Sequence, residues 1–159
     1  MNELQLIRNQ LQSERGRVTE VAAAVASAQA YGGEVGGSEF RQAAVEYLVL
    51  VLTRFEERDQ LLLERSPAPH PLASLPGSSR EALTKLEAAL ASGTPQPWGD
   101  FLAHIDGAWR ARRDAFDAVL ERNSRVTDWR AISFVDADSI LDERARYARV
   151  QSARARTTT

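Results

Sequence analysis

Residues 40–65 read FRQAAVEYLVLVLTRFEERDQLLLER, and this stretch decides the fold. Its unbroken apolar run, residues 47–52, is compatible on its own with a buried strand. The flanks carry helix-forming residues and no turn residues, so we predict one helix over residues 39–65. Because apolar residues point in nearly every direction from its middle, this helix is expected to be the most buried. Its main stripe consists of Val45, Leu48, Leu52, Phe55 and Leu62.

A first long helix is predicted over residues 2–31, before the glycine-rich residues 32–37. Its apolar residues recur at steps of three and four, which gives a single stripe. Gly16 costs up to ~1 kcal/mol relative to alanine inside a helix, so a local bend or close packing is expected there. Ser38 is expected to cap the helix that follows. The stripe consists of Leu4, Ile7, Leu11, Val18, Val21 and Val25.

Two further helices are predicted after the proline-rich residues 66–77. Ser78 and Glu81 form a capping-box pattern that opens a short third helix. Pro97 occupies the first turn of a fourth helix that reaches about residue 123. Arg112 falls on a core-facing step of that helix, where it could bridge to a carboxylate. The rest of its buried face is predicted to consist of Trp98, Leu102, Ile105, Trp109, Phe116 and Val119 or Leu120.

The C-terminal part is predicted less completely. Residues 129–135 fit helical and alternating patterns equally well, so both stay open. Ser139 with Asp142 predicts the start of a fifth helix that ends near residue 150. Residues 151–159 are expected to be a flexible tail. Together the elements predict an all-α fold, an up-down bundle of four main helices plus a short C-terminal helix, in a single domain of residues 1–150.

The composition excludes several classes of protein. The 159 residues include no cysteine, so disulfides, thiolate metal sites and cysteine nucleophiles are absent. No segment approaches the ~20 consecutive apolar residues of a membrane span. The N-terminal residues have neither the basic start nor the apolar block of a signal peptide, so a cytoplasmic protein is expected. The net charge of −2 gives the whole chain no electrostatic preference for nucleic acid.

Metal chemistry is the first function that a helical bundle raises. Ferritin-like di-iron sites need Glu-x-x-His pairs, and the sequence contains none. Residues 55–59 (FEERD) and the helix order resemble the second motif of hemerythrin-like proteins. That family binds its iron pair through several histidines, whereas this chain has only His70 and His104. The resemblance therefore implies a bundle without a working di-iron site. The alternative is that Glu56, Glu57 and Asp59 form a solvated face with neighbouring arginines.

Other catalytic patterns are also missing. Gly37-Ser38 lacks the lysine of a phosphate-binding loop, and no nucleophile elbow or paired metal spacing occurs. We therefore predict a chain that is not an enzyme, with no catalytic residue, no cofactor and no tightly bound transition metal. His104 is either a general base or haem ligand, or a packed and hydrogen-bonded side chain.

Two groups of residues are candidates for binding. A small-ligand pocket between helices two and four is predicted from four side chains, and an anion or partner contact from arginines near the C-terminus. Nucleic acid is not expected there, because Tyr147 is the only aromatic residue available for stacking. The pocket residues are Tyr47, Phe55, His104 and Trp109, and the contact residues are Arg144, Arg146 and Arg149.

Two functions remain open from the sequence. The first is a non-enzymatic bundle that acts through protein–protein contact, as an adaptor, a regulator or an oligomeric scaffold. The second is a ligand-binding or sensor bundle. A homodimer is also predicted, because helix two carries more apolar surface than one stripe needs, unless helix five covers the remainder.

Overall fold

The computed structural model of the chain describes residues 3–30, 37–65, 77–92, 94, 96–122 and 137–157. These residues form five helices and no strand, so the all-α bundle is confirmed. Helix α1 contacts α2, α2 contacts α3, α3 contacts α4 and α4 contacts α1, while α5 lies against α2. Residues 129–135 lie outside the described part. The helices are α1 (Glu3–Ala30), α2 (Gly37–Arg65), α3 (Ser78–Ala91), α4 (Gln96–Arg122) and α5 (Ala137–Thr157).

The middle of α2 is buried on more than one side. Leu48, Leu52 and Phe55, which belong to the predicted stripe, are buried, and so are Tyr47 and Val51 beside it. Three helices, α1, α3 and α5, contact α2. The position of α2 between three neighbours explains its burial. The sequence left open whether the fifth helix covers α2, and α5 does contact it.

Gly16 of α1 differs from expectation. It lies inside the helix but is exposed, and a Cβ atom built there would meet nothing within 4 Å. The prediction of close packing at this residue is wrong. Val18, two residues further on, points into the core, and two residues turn a helix through about 200°. Gly16 consequently faces away from the bundle.

The start of α3 also corrects the sequence. Gly77, and not Ser78, is the N-cap; its φ of 92° is left-handed, and no side-chain capping bond is made. The Glu81 amide donates to the Gly77 carbonyl at 2.8 Å. The Glu56 carboxylate of α2 accepts the Gly77 amide at 2.9 and 3.0 Å. Glu56, predicted to lie on a solvated face, thus accepts the N-cap amide from a neighbouring helix, which is the role that the capping-box pattern assigned to the Glu81 carboxylate.

Both ends of α3 are held by α2. Glu56 places negative charge at the N-terminus of α3, and Arg41 donates to the Leu90 carbonyl at its C-terminus at 3.0 Å. Each charge opposes the local end of the helix dipole. We call these two contacts, Glu56 with Gly77 and Arg41 with Leu90, the clamps of α3. The clamps are about 22 Å apart along α2 (residues 41–56) and about 20 Å apart along α3 (residues 77–90), so the two helix segments between them match in length.

The C-terminal helix is longer than predicted. α5 continues to Thr157, whereas a tail was expected from residue 151. Ala153 is fully buried in the core and Val150 lies one turn before it. The helix continues because alanine and arginine are strong helix formers and because Ala153 has a core surface to pack against.

We expect Leu52→Ala to lower the free energy of unfolding by ~2–5 kcal/mol, through lost apolar burial plus an enlarged cavity. Val49→Ala is the matched control, since Val49 is 42% exposed on the same helix; its effect should stay below ~0.5 kcal/mol. Urea denaturation followed by circular dichroism measures both. Equal effects would place Leu52 outside the core.

Two glycines should respond in opposite directions to alanine. Gly77→Ala should lower the free energy of unfolding by about 1 kcal/mol, because φ of 92° is strained for any residue with a Cβ atom. Gly107→Ala lies in the interior of α4, with nothing within 4 Å of the new atom, and should raise it by up to ~1 kcal/mol. Thermal unfolding of the two variants tests this, and the same sign for both would contradict the left-handed cap.

Candidate functional site

The predicted pocket is only partly assembled. Phe55 and Trp109 line one cavity among α1, α2, α3 and α4, but Tyr47 and His104 do not line it. The cavity has a volume of about 20 Å³, which is room for one water molecule. Pockets for organic ligands have volumes of roughly 300 Å³ or more. A drug-sized ligand would therefore have to push the helices apart.

Two arginines form part of the cavity wall. Arg112 is 3% exposed, donates to the Ser79 hydroxyl at 3.3 Å, and places its guanidinium 5.2 Å from the centre of the Phe55 ring. Arg15 lies 5.7 Å from the Trp109 ring. Aromatic faces attract cations, most strongly where water is excluded. The sequence prediction that Arg112 faces the core is confirmed, and its charge is stabilised there by a ring and a hydroxyl group.

His104 is a hydrogen-bonded side chain. Its Nε2 lies 2.9 Å from the Ser78 carbonyl oxygen. Because a carbonyl oxygen can only accept, Nε2 carries the hydrogen and donates it. His104 thus ties α4 to the first residue of α3, next to the carboxylate cap from Glu56. His70, the other histidine, lies outside the described residues.

A buried charge network joins α1, α2 and α5. The Glu143 carboxylate accepts the Arg17 Nε–H and the Tyr47 hydroxyl, both at 2.7 Å and both on Oε1. The Tyr147 ring centre lies 5.8 Å from that of Tyr47, and its hydroxyl donates to Glu20. These contacts bring together residues as much as 127 positions apart in sequence.

Glu143 was not among the residues predicted to be functional, although the sequence carries a signal for it. Glu143 precedes Tyr147 by four residues and Val150 by seven, which is the spacing of one helical face. Val150 is buried and Tyr147 packs against the core. A carboxylate on the apolar face of a helix indicates a buried partner, and only the fold reveals that the partners come from α1 and α2.

The network fixes the charge states of its members. Burial raises the pKa of Tyr47, and its hydrogen bond to the Glu143 carboxylate raises it further. Burial lowers the pKa of Arg17, but its bond to Glu143 and the charge of Glu143 outweigh that effect, so the pKa is raised overall. Tyr47 is therefore a neutral donor and Arg17 a cation. Neither group exchanges a proton near neutral pH, and the arrangement joins α1, α2 and α5.

A second ion cluster links α1 to α4 at the surface. The Asp106 carboxylate accepts Arg15 at 2.6 Å and is also paired with Arg110. The hydrogen bonds from Arg110 and Arg15 lower the pKa of Asp106. This cluster sits beside the cavity wall formed by Arg15 and Trp109, and it holds α1 and α4 together from outside.

The C-terminal arginines do not converge on one site. Arg146 Nε lies 3.4 Å from Asp142 on the same helix, and Arg149 lies 3.6 Å from Glu46 of α2. Arg144 is exposed. Two of the three predicted contact residues are thus paired with carboxylates of the chain itself.

The outward side of α5 carries a continuous exposed stripe. Leu141 is 66% exposed. In the part of the chain that the structure describes, Leu141 and Val49 of α2 are the large hydrophobic side chains that are exposed. Four further residues, which follow Leu141 at successive steps of four, three, four and three, are exposed as well. This spacing places all five residues on one face of the helix. Alanine is compatible with burial or exposure, so the sequence alone did not reveal the stripe. The other members are Ala145, Ala148, Ser152 and Ala155.

Within the described ranges, no group of three or more potential metal ligands comes together. No helix of that part is long and apolar enough to cross a membrane. Comparison with known proteins finds no matching family model, no similar curated protein and no similar solved structure. These comparisons add nothing to the resemblance of residues 55–59 and the helix order to hemerythrin-like proteins, and Glu56 of that motif accepts the amide at the start of α3.

Tyr47 should make stability depend on alkaline pH. Because its pKa is raised on folding, its contribution is complete below pH 10 and is lost progressively above it, by up to ~1.4 kcal/mol per pH unit. Tyr47→Phe should lower stability at pH 7 by ~1–3 kcal/mol, since Glu143 loses a buried donor, and should flatten the decline above pH 10. Tyr147→Phe should keep the contribution of Tyr47. Denaturation at pH 7 to 11 measures this, and an unchanged slope in Tyr47→Phe would contradict the network.

Proposed function

We propose that the chain is a non-enzymatic helical-bundle protein of the cytoplasm that acts through protein–protein contact, as an adaptor, regulator or oligomeric scaffold. The observation that carries the proposal is the exposed stripe on α5, which begins at Leu141. An exposed apolar face on an otherwise well-packed domain is typical of an interaction surface.

The polar side chains near the core support a structural and not a catalytic reading. Glu143 joins three helices, Glu56 caps α3, and His104 donates to a backbone carbonyl. Arg112 lies against the Phe55 ring. Each of these groups forms a hydrogen bond or a charge contact with a neighbouring helix.

A second copy of the chain is the proposed partner. Residues 1–143 carry 15 basic and all 22 acidic residues, a net charge of −7, whereas residues 144–159 carry five arginines and no acid. Residues 144–159 of one copy and residues 1–143 of another are therefore opposite in net charge. Arg146, Arg149 and Arg154 pair with carboxylates of their own chain, and Arg144 is exposed. The apolar surface of α2, which first suggested a dimer, is covered by α5 at Tyr47 and stays exposed at Val49, so we place the proposed contact on the longer stripe of α5.

Sedimentation at micromolar concentration should reveal a dimer that Ala148→Glu weakens at least ~10-fold in affinity, because a charge would be buried in the apolar contact. Ala111→Glu is the matched control: Ala111 is exposed on α4, away from the stripe, and its substitution should leave the dimer intact. A single species of 17.6 kDa at every concentration would overturn the proposal of a second copy.

A further inference from the structure

The terminal helix is attached to the bundle differently from the others. Of the 19 buried hydrophobic core residues in the part of the chain that the structure describes, Val150 and Ala153 belong to α5, and the partly buried Tyr147 packs against this core. The other 17 come from α1 to α4, which also contact one another in a closed ring. Apolar burial is the main source of stability, so α1 to α4 carry most of it without α5.

Charged contacts add to the packing of α5 along α2. At the periphery, Arg54 pairs with Asp142 at 2.8 Å and Glu46 with Arg149 at 3.6 Å. The charged groups of these pairs are about one-third to two-thirds exposed. Salt screens such pairs, and each contributes little on its own.

The central contact is of another kind. The side chains of Arg17 and Glu143 are only 14% and 11% exposed, and Tyr47 is fully buried. Salt screens buried pairs much less than exposed ones. Removing one partner of a buried pair leaves an uncompensated group, which is far more costly than loss of a surface pair.

We propose that α5 is a detachable helix clamped to the bundle by Glu143, and that loss of this clamp releases α5 as a unit while α1 to α4 stay folded. Release uncovers the apolar side of α2 around Tyr47, which Glu143 and Tyr147 of α5 otherwise contact. It also frees the exposed stripe from its fixed orientation. Glu143 is thus a positioning residue for that surface, acting through Arg17 and Tyr47.

Native-state hydrogen exchange on the full chain tests the proposal, because it reports opening helix by helix. Glu143→Gln keeps the side-chain shape and removes the charge. We expect amide exchange in α5 to accelerate at least ~10-fold, and further at 1 M salt, where the peripheral pairs are screened. Amides of α1 to α4 should keep their slower exchange. In the unaltered chain, salt alone should have a smaller effect on α5.

Asp106→Asn is the matched control. It makes the same change from carboxylate to amide in a pair with Arg15, but between α1 and α4. It should leave the exchange of α5 unchanged. If Glu143→Gln fails to fold, Tyr47→Phe, which keeps the bond from Arg17 to Glu143, should show the same selective acceleration at smaller amplitude.

Two results would overturn the inference. The first is amide exchange that accelerates equally in all five helices of Glu143→Gln or Tyr47→Phe. The second is exchange in α5 that accelerates as much in Asp106→Asn as in Glu143→Gln. The readout needs no second copy and is made on dilute protein. Failure of the proposed dimer would therefore leave this test intact, and failure of the clamp would leave the dimer open.

Discussion

The rest of the bundle depends on one constraint, which is that α2 is apolar in more directions than a single neighbour can cover. Tyr47, Leu48, Val51 and Leu52 are all buried, and at about 100° per residue they spread over about 140° of the helix surface, which is wider than a single apolar stripe of about 100°. The chain meets this requirement by placing α1, α3 and α5 around α2. α2 is therefore the axis on which the other helices are arranged.

Because the core is shared in this way, polar side chains act as joints between the helices. Glu56 fixes where α3 begins, His104 ties α4 to that point, and Glu143 ties α5 to α1 and α2. Apolar packing alone allows neighbouring helices to slide past each other. A hydrogen bond between two helices forms only in the register that brings its donor and acceptor within reach. A buried polar group without its partner costs free energy, so these joints disfavour alternative arrangements of the same helices.

The sequence predicted the helices well, because helical spacing is a local property. It predicted Arg112 on the core face of α4 for the same reason. It missed Phe101, which is fully buried, since α4 packs against both α3 and α1 and its buried sector is wider than one stripe. It also missed the partners of Glu56 and Glu143, because a cap or an ion pair between helices depends on which helices become neighbours. Local pattern contains no information on that choice.

The clamps at the two ends of α3 couple the lengths of two separate parts of the chain. Each residue adds about 1.5 Å and 100° to a helix. An insertion or deletion of one residue between Arg41 and Glu56, or between Gly77 and Leu90, would therefore shift one clamp residue along its helix and rotate it away from its partner. Relatives of this chain that preserve both clamps should change the two segments together or by whole turns. Their lengths would then record the pairing of the helices even where the residues themselves had diverged.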